Sequence, residues 1–307
     1  MCVSKTCWTK NTRPRPALAH PIAPFILVSV PRFRIILLLA ALGITGAAAQ
    51  ADAPQRVVSV NLCTDQLALD LAAPGQLVSV SRLAHDPKSS ARVEKALALP
   101  TNGSGAEEVF LLNPDLVLAG TFTDPATVSM LRDLGIPVVL FAPAQSLSDV
   151  PDRIAQMGRA LGREAEADRM IAAFKADLSA LQDAPADRPR AALYYVNSYT
   201  SGDKSLAGDI LNVAGFENAA TQAGISTIGT LPLEQLILLA PDIIIQGRDY
   251  PGQSRSEDNF NHPALHALTG TVMAGELTDR DWICGTPQVL NAIRAMRDLR
   301  IRIGGTQ

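Results

Sequence analysis

The sequence predicts an α/β protein of two lobes, each built on a mainly parallel sheet, joined by one long helix. Three observations predict this fold: the length of the chain, an internal repeat and a long amphipathic segment. The chain has 307 residues, too many for one ordinary core but enough for two lobes of about 100 to 150 residues each. Hydrophobic residues are spread along the chain and interrupted by 21 Gly and 21 Pro, which is typical of compact domains.

The repeat consists of two segments of equal length, 106–120 and 233–247. Each reads as a short amphipathic helix, a Pro-Asp turn and an apolar strand that ends in Gly. A nearly continuous apolar strand after a helix is typical of a parallel sheet that is covered on both faces. The repeat therefore predicts that the two lobes are structural relatives.

The remaining elements follow from local patterns. A β-branched run at 56–60 predicts the first strand, a helical pattern follows it, and 76–80 predicts a second strand. The second lobe is predicted to open with a strand at 191–196 and to close with a helix at 287–302.

A long helix is predicted between the lobes, over 163–181. Its apolar residues recur at helical spacing among charged ones: Ala167, Met170, Ile171, Phe174, Leu178 and Leu181. At about 1.5 Å per residue such a helix is close to 30 Å long, enough to bridge two lobes. The predicted domains are an N-terminal lobe at 50–162, a linking helix at 163–184 and a C-terminal lobe at 185–307.

The first 49 residues predict a cleaved signal peptide and an N-terminal extension. They contain six basic and no acidic residues, an apolar run at 35–44 and three alanines at 47–49. The run is too short to span a bilayer, and no Cys follows it closely enough to predict a lipid anchor. Without this segment 21 basic residues face 30 acidic ones, a formal charge of −9. The signal peptide predicts a periplasmic location. The acidic charge of the remaining chain predicts that nucleic acid is not a partner.

Several segments jointly resemble one family. They are the linking helix and 56–60, 113–117, 134–138, 211–218 and 281–287. Together they resemble the helix-linked (class III) periplasmic solute-binding proteins of ABC importers, the cobalamin and ferric-siderophore receptors. The resemblance implies two Rossmann-like lobes, a metal chelate held between them, an ABC permease in the inner membrane as partner, and a monomer without catalysis or an intrinsic cofactor. One departure is Asn61-Leu62-Cys63-Thr64, where family members often have Ser-Pro.

In open parallel sheets, ligands bind beyond the carboxyl ends of the strands. The loops that follow predicted strands, with the loop before the last helix, are therefore the expected cleft. The ligand-binding candidates in them are Asn61, Cys63, Thr64, Arg82, Tyr199, Tyr250, Trp282 and Cys284. Trp282 could cover a corrin or siderophore with its flat ring, or it could be plain core. Arg82 could neutralise an anionic chelate, or it could be a solvated surface residue.

Glu107 and Glu234 occupy equivalent positions of the repeat, near the start of its helix. Stabilisation of the helix dipole would be a sufficient local explanation for both. In the family that the chain resembles, the matching glutamate of each lobe docks onto arginines of the permease. The resemblance therefore implies that Glu107 and Glu234 are permease-docking residues.

Cys63 and Cys284 are the two cysteines outside the leader. Three interpretations stay open: a disulfide at the mouth of the cleft, two thiols that contact the ligand, or two unrelated buried residues. Two alternative functions stay open: a cofactor-handling metalloprotein that uses both cysteines as thiolates, and a haem or metal scavenger without a permease. His85 is isolated, and His262 and His266 read as a helix start, so no metal site is predicted. The sequence shows neither a Ser-His-Asp order nor a phosphate-binding loop, so no catalytic activity is predicted.

Overall fold

The computed structural model describes residues 53–182, 184–246, 262–266, 268, 271–274 and 279–304. The structural statements below concern these residues. The predicted leader at 1–49 lies outside the described residues.

The first sheet consists of five strands that pair in parallel. In chain order they are β1 Val57–Ser59, β2 Leu77–Ser81, β3 Thr101–Asn102, β4 Leu116–Gly120 and β5 Val138–Phe141. Their order in the sheet is β3-β2-β1-β4-β5. The central strand is fully buried at Val57 and Val58, as expected of a parallel sheet with both faces covered. This sheet lies within the predicted N-terminal lobe.

The second sheet lies within 190–274 and is also parallel. The strands of this half are β6 Arg190–Tyr194, β7 Tyr199–Ser201, β8 Glu217–Asn218, β9 Ile228–Thr230, β10 Ile243–Gln246 and β11 Val272–Ala274. Four of them form the sheet, in the order β11-β10-β6-β8. The other two, β7 and β9, form a separate antiparallel pair. The prediction of mainly parallel sheets is confirmed, and the antiparallel pair is an addition to it.

Helices cover the two sheets and connect them. In chain order the helices are α1 Leu62–Leu71, α2 Val93–Ala96, α3 Ala106–Leu111, α4 Pro125–Asp133, α5 Val150–Leu161, α6 Glu164–Leu181, α7 Leu206–Val213, α8 Ala219–Gln222, α9 Leu233–Leu239, α10 Pro263–His266, α11 Asp279–Trp282 and α12 Val289–Gly304. Short 3₁₀ turns lie at Arg82–His85, Leu147–Asp149 and Val196–Ser198. Within the described ranges, none of the helices has both the length and the apolar character needed to cross a bilayer.

One continuous hydrophobic core runs through both sheets. It includes Val57 and Leu118 of the first sheet and Leu193 and Ile245 of the second. Between them lie buried side chains of three helices, α5, α6 and α12: Ile154, Met157, Leu161, Phe174, Ile293 and Met296. The predicted two-lobed fold is confirmed. The predicted linking helix is α6, and α5 and α12 pack beside it, so the joint is a packed layer that resists bending.

A disulfide joins the two lobes directly. The Sγ atoms of Cys63 and Cys284 are 2.10 Å apart and their Cα atoms 5.2 Å apart. Cys63 lies in the first turn of α1, whereas Cys284 lies just before α12. Of the three interpretations left open by the sequence, the disulfide is confirmed. The readings as free thiols that contact a ligand and as unrelated cysteines are wrong in this structure, because each sulfur is bonded to the other.

Two further contacts bring the lobes together. Gly285 lies so close to Ala144 that a Cβ on residue 285 would stand 2.1 Å from that of Ala144, so only glycine fits there. The backbone N–H of Leu147 donates to the carboxylate of Asp209 at 3.0 Å. Burial raises the pKa of Asp209, and the nearby charges of Asp149 and Asp203 add to the rise, whereas the Leu147 hydrogen bond opposes it.

The repeated Pro-Asp turn has a clear physical role in the first lobe. The carboxylate of Asp115 accepts the backbone N–H of Arg56 at 2.9 Å. The guanidinium of Arg56 in turn donates to the carbonyls of Leu112 and Asn113, at 2.8 and 3.1 Å. These carbonyls follow α3 and have no partner inside the helix, so the arginine satisfies them.

The second lobe repeats this arrangement. The carboxylate of Asp242 accepts the backbone N–H of Arg190 at 2.7 Å, and the guanidinium of Arg190 donates to the carbonyls of Leu239 and Ala240, at 2.8 and 2.7 Å. The residue before the proline is left-handed in both lobes, with φ of 49° at Asn113 and 42° at Ala240. Asn tolerates this conformation much better than Ala does.

We predict that Ala240→Gly raises the free energy of unfolding by about 1 kcal/mol, because glycine relieves the left-handed strain at φ 42°. Ala223→Gly is the matched control. Ala223 also follows a helix but has φ −78°, so the same substitution there should lower the free energy of unfolding. Denaturant unfolding of both variants measures the difference. Destabilisation of equal size in both would contradict the prediction.

We also predict that loss of the disulfide destabilises the fold by roughly 4 to 5 kcal/mol, because the bond closes a very long loop in the unfolded chain. Denaturant unfolding of Cys63→Ser/Cys284→Ser, compared with the oxidised wild type, measures this loss. Thiol counting under denaturing conditions is the control. Reduction should release two more thiols in the wild type than in the double variant, and equal release would contradict the disulfide.

Candidate functional site

The loop between β1 and α1 is held by its own side chains. Asn61 is the N-cap of α1, and its Oδ1 accepts the backbone N–H of Cys63 at 3.0 Å. The hydroxyl of Thr64 donates to the Asn61 carbonyl at 2.8 Å and pairs with the hydroxyl of Ser59. A capped helix start needs such oxygen-bearing side chains, which explains why polar residues follow the buried strand directly.

A first pocket, with a cavity volume of about 90 Å³, opens at the carboxyl edge of the first sheet. Three of the predicted candidates line it: Asn61, Cys63 and Thr64. The loops after β4 and β5 complete its wall, and so do Ile283 and Gly285 from the C-terminal half. Loops of parallel strands were expected to meet at this edge.

Several lining residues of the first pocket were not singled out by the sequence pattern. Phe122 follows β4 and is 87% exposed, while Phe141 and Pro143 stand at the end of β5. Arg153 reaches the pocket from α5. Phe122 could have been predicted from topology. The repeat already predicted the strand β4, and residues just past the end of a parallel strand lie at the same edge of the sheet as the other predicted loops.

A second, larger pocket adjoins the first. It has a cavity volume of about 630 Å³, and its polar wall includes Ser81, Arg82, Asn102 and Ser104. The two pockets share Asn61, Cys63 and Ile283, so the disulfide and Ile283 form the ridge between them. Arg82, a predicted candidate, therefore lies on the side of the ridge opposite to Arg153.

The aromatic candidates lie elsewhere. Tyr199 is 48% exposed and begins β7, so part of the predicted loop is a strand. Trp282 is half-buried and packs against the main core, whereas the adjacent Ile283 lines both pockets. Neither Tyr199 nor Trp282 lines these two pockets, and Tyr250 lies outside the described residues. Their contact with a ligand stays a prediction.

A buried carboxyl group stands behind the second pocket. Asp65 is fully buried, and the backbone N–H and hydroxyl of Ser81 both donate to it. Burial raises the pKa of Asp65 to about 6, although hydrogen bonds from Ser59 and Ser81 and the charge of His85 oppose the rise. This carboxyl group fixes the end of β2 and so the position from which Arg82 enters the cleft.

The two repeated glutamates are surface residues. Glu107 and Glu234 are exposed in the first turns of α3 and α9. Neither carboxylate forms a hydrogen bond or an ion pair with another described residue. One helical turn later, the equivalent Leu111 and Leu238 are 81% and 84% exposed. Each lobe thus presents an acidic group beside an apolar one, at equivalent positions of the repeat.

The structure offers little to a bare metal ion. No group of three His, Cys, Asp or Glu side chains in the described ranges is arranged to hold one. His85 Nε2 is hydrogen-bonded to the carbonyl of Ala96 at 2.9 Å. The sulfurs of Cys63 and Cys284 are bonded to each other.

Comparison with known proteins supplies curated relatives. A cobalamin-binding protein of Halobacterium salinarum is 31% identical over 202 residues, which are 63% of this chain and 54% of that protein. A vitamin B12-binding protein of Yersinia pseudotuberculosis is 25% identical over 282 residues, covering 89% of this chain and 94% of that protein. The chain therefore spans about half of the archaeal relative but nearly all of the bacterial one.

A solved structure and a family model agree with these relatives. The periplasmic heme-binding protein RhuT from Roseiflexus sp. RS-1, in apo form, has a TM-score of 0.65 with 23% identity, covering 81% of this chain and 97% of that one. This likeness shows the fold. The family model for periplasmic binding proteins matches residues 57–245, more than half of the chain. The chain belongs to the periplasmic binding protein family.

Proposed function

We propose that the chain is the substrate-binding component of an ABC importer. It captures a metal chelate, a cobalamin-like corrinoid or a ferric siderophore, between its lobes and delivers it to a permease in the inner membrane. It works in the periplasm, after removal of the leader. The observation that carries the proposal is the pair of pockets at the carboxyl edge of the first sheet, beside the disulfide that joins the lobes.

The character of the two pockets supports a chelate with distinct faces. The first pocket presents the exposed ring of Phe122 beside Phe141 and Pro143, an apolar surface suited to a macrocycle. The second presents hydroxyl and amide groups with Arg82, which suit the polar periphery of a chelate. The two relatives described as cobalamin-binding and vitamin B12-binding favour a corrinoid within this class.

The proposed ligand contacts include residues that do not line the two pockets. Asn61, Thr64 and Arg82 act from the first lobe, and Tyr199, Tyr250 and Trp282 from the second. Cys63, which lines both pockets, contributes as half of a disulfide, and the buried Cys284 contributes by fixing its position, so neither acts as a thiolate metal ligand. The alternative of a metalloprotein that uses both cysteines as thiolates is therefore dropped.

The mode of capture follows from the joint between the lobes. A shared core and a disulfide hold the lobes at a fixed separation, so the cleft is open before the ligand arrives. A preformed site avoids the free-energy cost of ordering loops upon binding. The chain then acts as a rigid receptor with no reaction and no resident cofactor.

Docking to the permease involves Glu107 and Glu234 in this proposal. α3 begins just after the carboxyl end of β3, so Glu107 lies near the edge at which the pockets open. An exposed carboxylate gives a charged group for arginines of the permease, and the neighbouring Leu111 and Leu238 add an apolar contact. Equivalent groups on two related lobes suit a partner with approximate two-fold symmetry.

The ligand is tested by titration of the purified chain with cyanocobalamin, haemin and ferrichrome, followed by absorbance and calorimetry. We expect saturable binding of at least one, with a Kd of about 1 µM or lower. Phe122→Ala should weaken that binding by about 1 to 3 kcal/mol, as loss of an aromatic anchor does. The emission of Trp282 should be quenched in the same titration.

Phe110→Ala is the matched control, because Phe110 is also an exposed aromatic, 47% exposed, but lies on α3 outside both pockets. It should leave the affinity unchanged. Binding of haemin alone would favour the haem scavenger over the corrinoid or siderophore receptor. If none of the three chelates bound, the proposed function would be wrong.

The docking surface is tested with Glu107→Gln and Glu234→Gln in complex formation with the cognate permease. We expect each variant to weaken the complex by about tenfold, because an exposed charge pair at the interface is lost. Leu111→Ser and Leu238→Ser should weaken it as well. The control is Glu217→Gln, an exposed glutamate of β8, which should bind the permease normally. A loss of ligand binding with unchanged permease association would contradict the assignment.

A further inference from the structure

We infer that Arg153 makes the first pocket selective for a chelate that carries an acidic oxygen group, a carboxylate or a phosphate. This inference rests on the proposed function and deepens it, because it names a chemical feature of the ligand. It concerns the pocket on the side of the disulfide opposite to Arg82.

Arg153 is held in place by a neutral network. It lies in α5, is half-buried and lines the first pocket. Its Nη1 donates to Oε1 of Gln156 at 3.1 Å, and Nε2 of Gln156 donates to the carbonyl of Leu140 at 2.8 Å. The guanidinium is therefore anchored from one side by an amide that is itself anchored to β5.

The same guanidinium lacks a partner on its other side. Its Nε is buried and has no hydrogen-bond acceptor, which is unusual for a buried donor. Other half-buried arginines are paired, since Arg92 contacts Asp70 at 2.8 Å and Arg163 contacts Glu166 at 2.9 Å. Arg153 has no such ion pair with a described residue, so its guanidinium keeps a positive charge that an incoming acidic group can balance.

The rest of the first pocket favours the same kind of group. Arg153 is the sole charged residue among the described residues that line it. The first turn of α1 opens into the pocket, and the N-terminal end of a helix carries partial positive charge. The Oδ1 of Asn61 is used by the helix cap, so its Nδ2 is the group left to donate. An oxyanion in this pocket would meet hydrogen-bond donors and no carboxylate.

Selectivity follows from desolvation. When a ligand fills the pocket and expels water, an acidic oxygen group can accept from the forked guanidinium in a charge-assisted pair. A ligand without this group removes water from Arg153 and leaves its charge unpaired, which is unfavourable. The pocket therefore discriminates between otherwise similar chelates by rejecting the neutral one.

The test compares chelates with and without an acidic group: haemin with its dimethyl ester, cyanocobalamin with dicyanocobinamide, which lacks the phosphodiester together with its nucleotide, and N-succinyl with N-acetyl ferrioxamine B. Dissociation constants are measured for the wild type, Arg153→Gln and Arg153→Lys. Arg159→Gln, an exposed arginine on the same helix, is the matched control. Thermal melts of each variant report whether the fold is retained.

We expect Arg153→Gln to weaken the acidic member of the bound pair by about tenfold or more, as loss of a charge-assisted pair does. The affinity for the neutral member should stay unchanged or rise, because the unpaired charge is removed. Arg153→Lys should retain part of the preference and Arg159→Gln all of it. Equal loss for both members, no loss for either, or wild-type preference for the neutral member would overturn the inference and leave the proposed function intact. If the wild type bound no member of any pair, the proposed function itself would fail, and the inference with it.

Discussion

The packed layer of α5, α6 and α12 is the constraint on which the rest of the structure depends. Its buried side chains belong to the same core as the central strands of both sheets, so neither lobe can shift without disturbing close packing. The edges of the two lobes are therefore held at a constant separation. A cleft between them exists as a feature of the fold, and the Cys63–Cys284 disulfide adds a covalent limit on its opening.

In the proposed function, this rigidity makes local chemistry, rather than domain closure, the source of ligand selectivity. The ridge formed by the disulfide and Ile283 divides the cleft into an apolar pocket with Arg153 and a polar pocket with Arg82. Each pocket thus has its own cation, on opposite sides of the ridge. In the proposed function, delivery depends on a partner that docks where α3 and α9 present equivalent Glu and Leu side chains.

The relationship between the lobes is clearest at the Pro-Asp turn. In each lobe the aspartate accepts the backbone N–H of an arginine at the start of a strand or directly before it. The guanidinium of that arginine donates to carbonyls at the end of the helix. The two turns differ in the left-handed residue, Asn113 in one and Ala240 in the other. The geometry is kept even where the residue fits it poorly, because the arginine and the aspartate hold the turn from both sides.

The sequence by itself determined the fold class, the repeat, the long helix and one part of the cleft. These follow from short-range patterns: buried parallel strands are continuously apolar, α6 has helical spacing over its whole length, and Asn61, Cys63 and Thr64 follow a strand that had to end at the binding edge. The tertiary structure decided what depends on contacts between distant segments. Cys63 and Cys284 form a disulfide, which is one of the three interpretations that the sequence left open. Trp282 packs against the core whereas Ile283 lines the pockets, and Phe122 and Arg153 line the same pocket. Periodicity carries no information on which loops from different strands and helices meet, because that is settled by the packing of the whole core.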